Sequence, residues 1–255
     1  PGSYQRRNVW LIPGPRDGDA YAVDIFQITG GGKVFDYNSR GNDADLFEHM
    51  RFDFQGAAPR WESRAGTLAG ANVPLYSAPG YGWMKDVRTT KTASDFSWRY
   101  DYGGAGLKVH ALAFGRPRTL FYALGEYGGY ARGKAPWAPH VLWRDEAPDG
   151  SNHVTQFVTV LESVGAAPFI KGIETLACTE PADGIHPVGL KLTHGSGHAD
   201  VLLINPRPGR KIGFSDTAGG RWETDAYTAM QRLDPAGKVM RVEFFDGALL
   251  KTPQR

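Results

Sequence analysis

Short runs in which apolar and polar residues alternate, separated by Gly and Pro, make up most of this sequence. In residues 20–28 (AYAVDIFQI), Tyr21, Val23 and Ile25 fall on one side of an extended chain. Residues 154–161 (VTQFVTVL) are β-branched and aromatic, a composition that argues against a helix. An amphipathic helix needs an apolar period of 3.6 over about ten residues, and the nearest candidate, residues 224–232, is short and only weakly helical. The sequence therefore predicts an all-β protein of stacked antiparallel sheets.

The best break in this pattern is the turn-rich segment PADGIHP at residues 181–187. Before it, the pattern predicts strands from residue 8 onwards, a less regular alternation over residues 47–54, and a loop over residues 59–79. After it come shorter strand-like runs, and no repeat of fixed period appears. We therefore predict a large, supersandwich-like antiparallel β-sandwich over residues 1–180 and a smaller β lobe over residues 181–255.

Charge and composition narrow the possible partners. The chain has 29 basic and 27 acidic residues and no block of like charge, so nothing indicates a nucleic-acid surface. No apolar stretch approaches the roughly 20 residues of a membrane helix. Cys178 is the only cysteine, which excludes an intramolecular disulfide and a cysteine zinc site. The start, Pro1-Gly2-Ser3, lacks a signal-peptide pattern, and we expect it to be a cut with any secretory leader upstream.

The common catalytic motifs are missing, including the Walker loop, His-Glu-x-x-His and Gly-x-Ser-x-Gly. His194, His198 and Asp200 lie close together before an apolar strand, and these residue types are zinc ligands. Their spacing is irregular and Gly-Ser-Gly is an ordinary turn, so a solvated loop is favoured over a metal site. We predict no metal, no cofactor and no catalytic residue in this chain.

Aromatic residues in or beside Gly- and Pro-rich segments suggest carbohydrate binding, because flat rings stack on the apolar faces of sugars. The simpler alternative is that these rings cap the core of a large β protein. The residues concerned are Trp83, Trp98, Trp137, Trp143, Trp222, Tyr76, Tyr81, Tyr127 and Tyr130.

Three stretches together resemble one family. The first is RRNVWLI at residues 6–12 with YAVDIFQITGG at residues 21–31; the second is FDYNSRG at residues 35–41. The third is FVTVLE at residues 157–162 with PFIKGIE at residues 168–174. In order and spacing they are similar to the β-structured region of heparinase II/III-like polysaccharide lyases, and the resemblance covers nearly the whole chain.

The resemblance implies a function as well as a fold. Members of this family cleave uronic-acid polysaccharides by β-elimination, with catalytic residues from an upstream α/α-toroid domain and from segments that precede Arg6 on this alignment. This chain would then be a non-catalytic, cleft-lining β region of a secreted or periplasmic lyase. Its partners would be an acidic polysaccharide and the toroid, as an upstream domain or a separate chain. Loss of the toroid would expose an apolar patch and favour a partner chain or self-association.

Three residues are the predicted sugar contacts. Phe35 and Arg40 stand where the family often has histidines, and Arg40 could pair with an anionic sugar. Trp137 and Trp143 would supply stacking faces. Two alternatives stay open: a stand-alone carbohydrate-binding or adhesion module that uses Trp137 and Trp143, and a structural scaffold without a ligand.

Overall fold

The computed structural model describes residues 4–14, 16–32, 34–41, 44–77, 80–126, 136–147, 153–165, 167–179 and 185–253. These residues form antiparallel sheets with very little helix, so the all-β prediction is confirmed. The chain divides into two compact units, Pro1–Trp10 with Val23–Leu161 (unit 1) and Leu11–Ala22 with Glu162–Arg255 (unit 2).

The elements from the start of the chain to residue 164 form two of the sheets. The strands are β1 (Tyr4–Pro13), β2 (Ala20–Gly30), β3 (Val34–Arg40), β4 (Phe52–Phe54), β5 (Glu62–Ser63), β6 (Met84–Thr92), β7 (Phe96–Asp101), β8 (Gly106–Leu112), β9 (Arg118–Glu126), β10 (Trp137–Glu146) and β11 (His153–Val164), with one helical turn, α1 (Leu46–His49), and a 3-10 turn at Gly80–Trp83. One sheet has the order β1-β2-β11-β8-β7-β4, and the other has the order β3-β10-β9-β6-β5.

Unit 1 is a β-sandwich whose core is rich in aromatic residues. Alternate residues of β7, β8 and β11 meet alternate residues of β3, β9 and β10 in one buried cluster. The buried aromatic members are Tyr37, Phe47, Phe96, Trp98, Tyr100, Tyr122, Trp143 and Phe157. The opposite face of β9 and β10 is buried too, because Leu68, Tyr81 and Met84 pack on Phe121 and Leu142. Around Phe121 and Leu142, the five-stranded sheet is therefore covered by apolar side chains on both faces.

The remaining strands form two sheets of unit 2. They are β12 (Ile170–Thr175), β13 (Ala177–Cys178), β14 (Val188–His194), β15 (Ala199–Ile204), β16 (Ile212–Ser215), β17 (Arg221–Thr224), β18 (Thr228–Leu233), β19 (Val239–Phe245) and β20 (Leu250–Lys251). One sheet has the order β12-β14-β15-β18-β19, and the other has the order β13-β16-β17-β20. Val201, Leu203, Ile212, Phe214 and Trp222 pack between them, so this unit is a second, smaller sandwich.

The second face of the β14–β15–β18 sheet buries a charged network centred on Asp200. The Asp200 carboxylate accepts hydrogen bonds from Arg232 Nε and Nη2 (both 2.7 Å), from Tyr21 Oη (2.7 Å) and from His194 Nε2 (3.0 Å). Arg232 also donates to the main-chain oxygens of Pro13 (2.6 Å) and Gly14 (3.2 Å). The network thus binds the early segment Leu11–Ala22 to strands from the second half of the chain.

The pKa of Asp200 reflects this arrangement. Burial alone would raise it, but hydrogen bonds from Arg232, His194 and Tyr21 more than offset that effect and lower the pKa to about 2. Burial and the neighbouring carboxylate raise the pKa of Tyr21. Asp200 is therefore ionised and Tyr21 protonated over the physiological range, which keeps every hydrogen bond of the network in place.

Asp200→Asn should lower the free energy of unfolding by about 3 kcal/mol, because it leaves the Arg232 guanidinium buried without its counter-charge. Urea unfolding followed by tryptophan fluorescence measures the change. Asp53→Asn is the matched control, since Asp53 is 78% exposed and its ion pair with Lys108 is long, at 4.0 Å; it should shift stability by less than about 0.5 kcal/mol. Equal effects of the two variants would show that the network is dispensable.

Several local expectations differ from the structure. The boundary predicted at residue 180 lies within unit 2, because β12 pairs with β14 and β13 pairs with β16. Residues 46–49 form the helical turn α1 rather than a strand, and Phe47 alone of this turn is buried. Residues 224–232, for which the sequence predicts no helix, are indeed not helical: a turn there joins β17 to β18. Residues 181–184 of the predicted linker lie outside the described residues.

Candidate functional site

One candidate site is a groove of about 790 Å³ on the outer face of the β13–β16–β17–β20 sheet. Strand alternation builds it: Ile212, Phe214 and Trp222 belong to the core, so the residues between them face outwards. Gly213 forms part of its floor, opposite Glu223 on the neighbouring strand. The lining residues are Thr179, Gly213, Phe214, Ser215, Arg221, Trp222, Glu223, Lys251, Thr252 and Pro253.

The groove is lined by two cations and one carboxylate. Lys251 Nζ lies 2.8 Å from Glu223 Oε1, and this contact lowers the pKa of Glu223, which therefore stays ionised at neutral pH. Arg221 is exposed and faces the same groove. Its planar guanidinium can bind a carboxylate or sulfate through two parallel hydrogen bonds. Hydroxyl groups of Ser215 and Thr179 line the same space.

This geometry suits binding rather than proton transfer. Glu223 and Lys251 neutralise each other, and neither is buried as a catalytic acid or base near neutral pH usually is. The lining side chains carry one net positive charge, which favours an anionic ligand. Trp222 is only 4% exposed, so it walls the groove without offering a stacking face.

The three predicted sugar contacts do not form one site. Trp143 is fully buried in the core of unit 1, with Tyr37, Phe96 and Phe157 around it. The expectation that Trp143 is a surface residue was therefore wrong, and its ring cannot reach a sugar. Trp98 and Trp222 are buried in the same way, so the capping alternative holds for them.

Trp137 is half-buried at the first position of β10, and its ring has a partner within the chain. Lys85 Nζ lies 4.3 Å from the ring centroid, a cation–π contact that covers one face. Trp137 has the same strand parity as Val141 and Trp143, which point to the core. Arg40 is exposed and pairs across strands with His140, which has the opposite parity. Arg40 and Trp137 therefore lie on opposite faces of the sheet.

Arg40 belongs to a polar row on β3 and β10. Asp36 accepts two hydrogen bonds from Arg144 (2.8 and 2.9 Å) and one from Tyr81 Oη. Next to this pair, His140 Nδ1 lies 3.1 Å from Asn38 Oδ1. The row alternates with core residues along each strand, as expected for one face of a sheet.

His140 is the unusual member of this row. It is 6% exposed, and its Nε2 has no hydrogen-bond partner among the described residues. The ring lies against Gly125, where a Cβ would stand 2.6 Å from Nε2, so only glycine fits there. Burial, and then the charge of Arg40, lower the pKa of His140 to about 4. The imidazole is therefore neutral at pH 7 and a weak proton acceptor.

The His194–Asp200 segment does not form a metal site. His194 and Asp200 are bonded to each other in the buried network, and Phe169 stacks on the His194 ring at 5.6 Å with an interplanar angle of 8°. His198 Nδ1 instead contacts Ser196 Oγ at 3.0 Å. No group of three His, Cys, Asp or Glu able to hold a metal occurs in the part of the chain that the structure describes. The solvated-loop interpretation was wrong for His194 and Asp200, which are buried in the network. It holds only for the turn at residues 195–197, which is exposed.

Among the described residues, the remaining aromatic candidates for sugar binding lie outside the groove. Tyr127 and Tyr130 lie outside the described residues. Tyr81 is part of the Asp36 cluster, and Trp83 is half-buried in the 3-10 turn. Sequence reasoning missed Arg221, Glu223 and Lys251. The alternation of RWET at residues 221–224 could have marked the first two as outward-facing, but their proximity to Lys251 depends on the β17–β20 pairing.

Comparisons with known proteins add no assignment: no protein-family model matches this chain, and no curated protein matches it. What the structure defines is an all-β protein with two β-sandwich units. Among the described residues, no helix is long and apolar enough to cross a membrane. The likeness to heparinase II/III-like lyases therefore stays a prediction from the quoted stretches.

His140→Gln should reduce the pH dependence of stability between pH 6.5 and pH 4. A histidine whose pKa falls from 6.5 unfolded to about 4 folded binds its proton mainly in the unfolded state across this window. It therefore stabilises the protein fully above pH 6.5 and loses that contribution, on the order of 3 kcal/mol, as pH falls towards 4.

Urea unfolding at intervals from pH 4 to pH 8 measures this effect. His49→Asn is the matched control, because it replaces an exposed histidine and leaves His140 in place, so the slope due to His140 should remain. The carboxylate of Asp200 titrates mainly below this window, and it is present in all the proteins compared, so its contribution cancels in the comparison. A His140→Gln profile as steep as that of the unmodified chain would contradict the assignment.

Proposed function

We propose that this chain binds an acidic polysaccharide in the Arg221–Lys251 groove, as the substrate-binding β region of a secreted or periplasmic polysaccharide lyase. The observation that supports the proposal is a groove of about 790 Å³ with two cations, one carboxylate and three hydroxyl groups. This volume lies within the usual range of ligand sites. The lyase assignment is supported by the sequence resemblance and is part of the same proposal.

The chemistry of a uronic-acid chain fits these groups. Each sugar carries one carboxylate, for which the Arg221 guanidinium is a geometric match. Its hydroxyl groups can donate to Glu223 and exchange hydrogen bonds with Ser215 and Thr179. The Glu223–Lys251 pair keeps the carboxylate in place, so it can accept from a hydroxyl group while Lys251 attracts a second anionic group.

The elimination step itself would come from residues outside this chain. It requires a base to remove the proton next to the uronate carboxylate and an acid to protonate the leaving oxygen. In the groove, the two groups that could exchange a proton are held as an ion pair. The proposed task of this chain is therefore to hold the polysaccharide while the toroid domain performs the reaction.

Arg221→Ala with Lys251→Ala should weaken binding of acidic polysaccharides at least about tenfold, because both charged contacts are lost. Isothermal titration against a panel of uronic-acid polysaccharides and one neutral polysaccharide measures this. Binding should also weaken as salt rises, since the contacts are exposed. Arg40→Ala is the matched control, because it removes one exposed arginine from unit 1.

Two outcomes would overturn parts of this proposal. Loss of binding in Arg40→Ala, with Arg221→Ala/Lys251→Ala unaffected, would move the site to the β3–β10 row. Binding of the neutral polysaccharide alone would overturn the acidic ligand. An unsaturated-uronate absorbance assay on the same samples addresses catalysis: no product is expected, and product from this chain alone would place catalytic residues within it.

A further inference from the structure

Strand β19 is an edge strand with an unusual surface. In the described part of the chain it pairs with β18 on one side only, and all seven of its residues are exposed. Its apolar side chains are largely accessible: Val239 40%, Met240 59%, Val242 43%, Phe244 50% and Phe245 70%. Exposed apolar edge strands readily pair with another strand, and soluble proteins usually avoid or cover them.

The sequence of this strand is nearly symmetric about its centre. Residues 238–246 read KVMRVEFFD, with Val242 in the middle. In an antiparallel pairing of two such strands centred on Val242, Arg241 lies opposite Glu243 and Lys238 lies opposite Asp246. In the same register Met240 meets Phe244 and Val239 meets Phe245. Every charged residue therefore faces an opposite charge, and every apolar residue faces an apolar one.

From this pattern we propose that two copies of the chain associate through β19, edge to edge, about a two-fold axis at Val242. Such an interface is isologous, with Arg241 of one copy opposite Glu243 of the partner subunit and the reverse. Arg241 and Glu243 already form an ion pair within one strand. The dimer would set two such pairs side by side, in a square of alternating charges.

The pairing would also stabilise the exposed edge of β19. It joins the β12–β14–β15–β18–β19 sheets of two copies into one ten-stranded sheet, because each contributes five strands. The unpaired main-chain groups of both edges would bond to each other. Directly opposed apolar pairs and oppositely charged pairs would each add to the stability of the pairing. A partner of unrelated sequence would not match this alternation of charge, which is the reason to choose a second copy.

Charge reversal tests the register directly. Arg241→Glu places like charges opposite each other twice per dimer, and Glu243→Arg does the same with the other sign. Each single variant should weaken association at least about tenfold. The double variant R241E/E243R restores opposite charges at both positions and should associate like the unmodified chain. Arg60→Glu, an exposed reversal in unit 1, is the control and should change nothing.

Mixing the two single variants gives a second, sharper readout. Neither associates well with itself, but a mixed pair places the two carboxylates of the R241E copy against the two guanidinium groups of the E243R copy. Sedimentation over a concentration series should therefore show a heterodimer in the mixture. A chain that stays monomeric at every concentration would overturn the dimer. Dimers that form equally in all variants would overturn this register. Neither result bears on the proposed polysaccharide site.

Discussion

One buried carboxylate, that of Asp200, holds distant parts of this chain in the second sandwich unit. It accepts four hydrogen bonds, one each from Tyr21 and His194 and two from Nε and Nη2 of Arg232. Arg232 extends the network to the main chain at Pro13 and Gly14. A carboxylate enclosed this deeply is tolerated only when its oxygens are fully bonded. The segment Leu11–Ala22 and strands β14, β15 and β18 therefore depend on one another.

The residues behind the family resemblance also meet at one buried carboxylate, that of Asp24. Arg7 donates to both oxygens of Asp24 (3.0 and 2.7 Å), and Tyr37 Oη donates to Asp24 and lies 3.1 Å from Thr159 Oγ1. Each of these residues comes from one of the three quoted stretches. Glu162, at the end of the third stretch, accepts from the main-chain N–H groups of Phe169 and Ile170. The stretches thus have a structural role in this chain.

Period-two patterns explain how much of the fold could be predicted. The alternation in residues 20–28 and 154–161 identifies β2 and β11, because the side chains of a strand point alternately to two faces. It could not separate Trp143 from a surface tryptophan, since both faces of the five-stranded sheet are covered. Nor could it bring Arg221 next to Lys251, because that contact depends on which strands pair. Local sequence specifies a strand; the partner of that strand is a long-range property.

Long-range contacts, rather than local sequence, also decide which arginines can bind a ligand. The guanidinium of Arg232 already donates to Asp200, Pro13 and Gly14, and Arg144 donates twice to Asp36, so a ligand would have to break strong internal hydrogen bonds. Arg7 is largely exposed, but its fork is aligned on Asp24. Arg221 lies on the outer face of its sheet, where its donors meet water. A carboxylate can therefore replace this water without breaking an internal hydrogen bond of the protein. The packed inner face of the sheet keeps the strand that carries Arg221 in place.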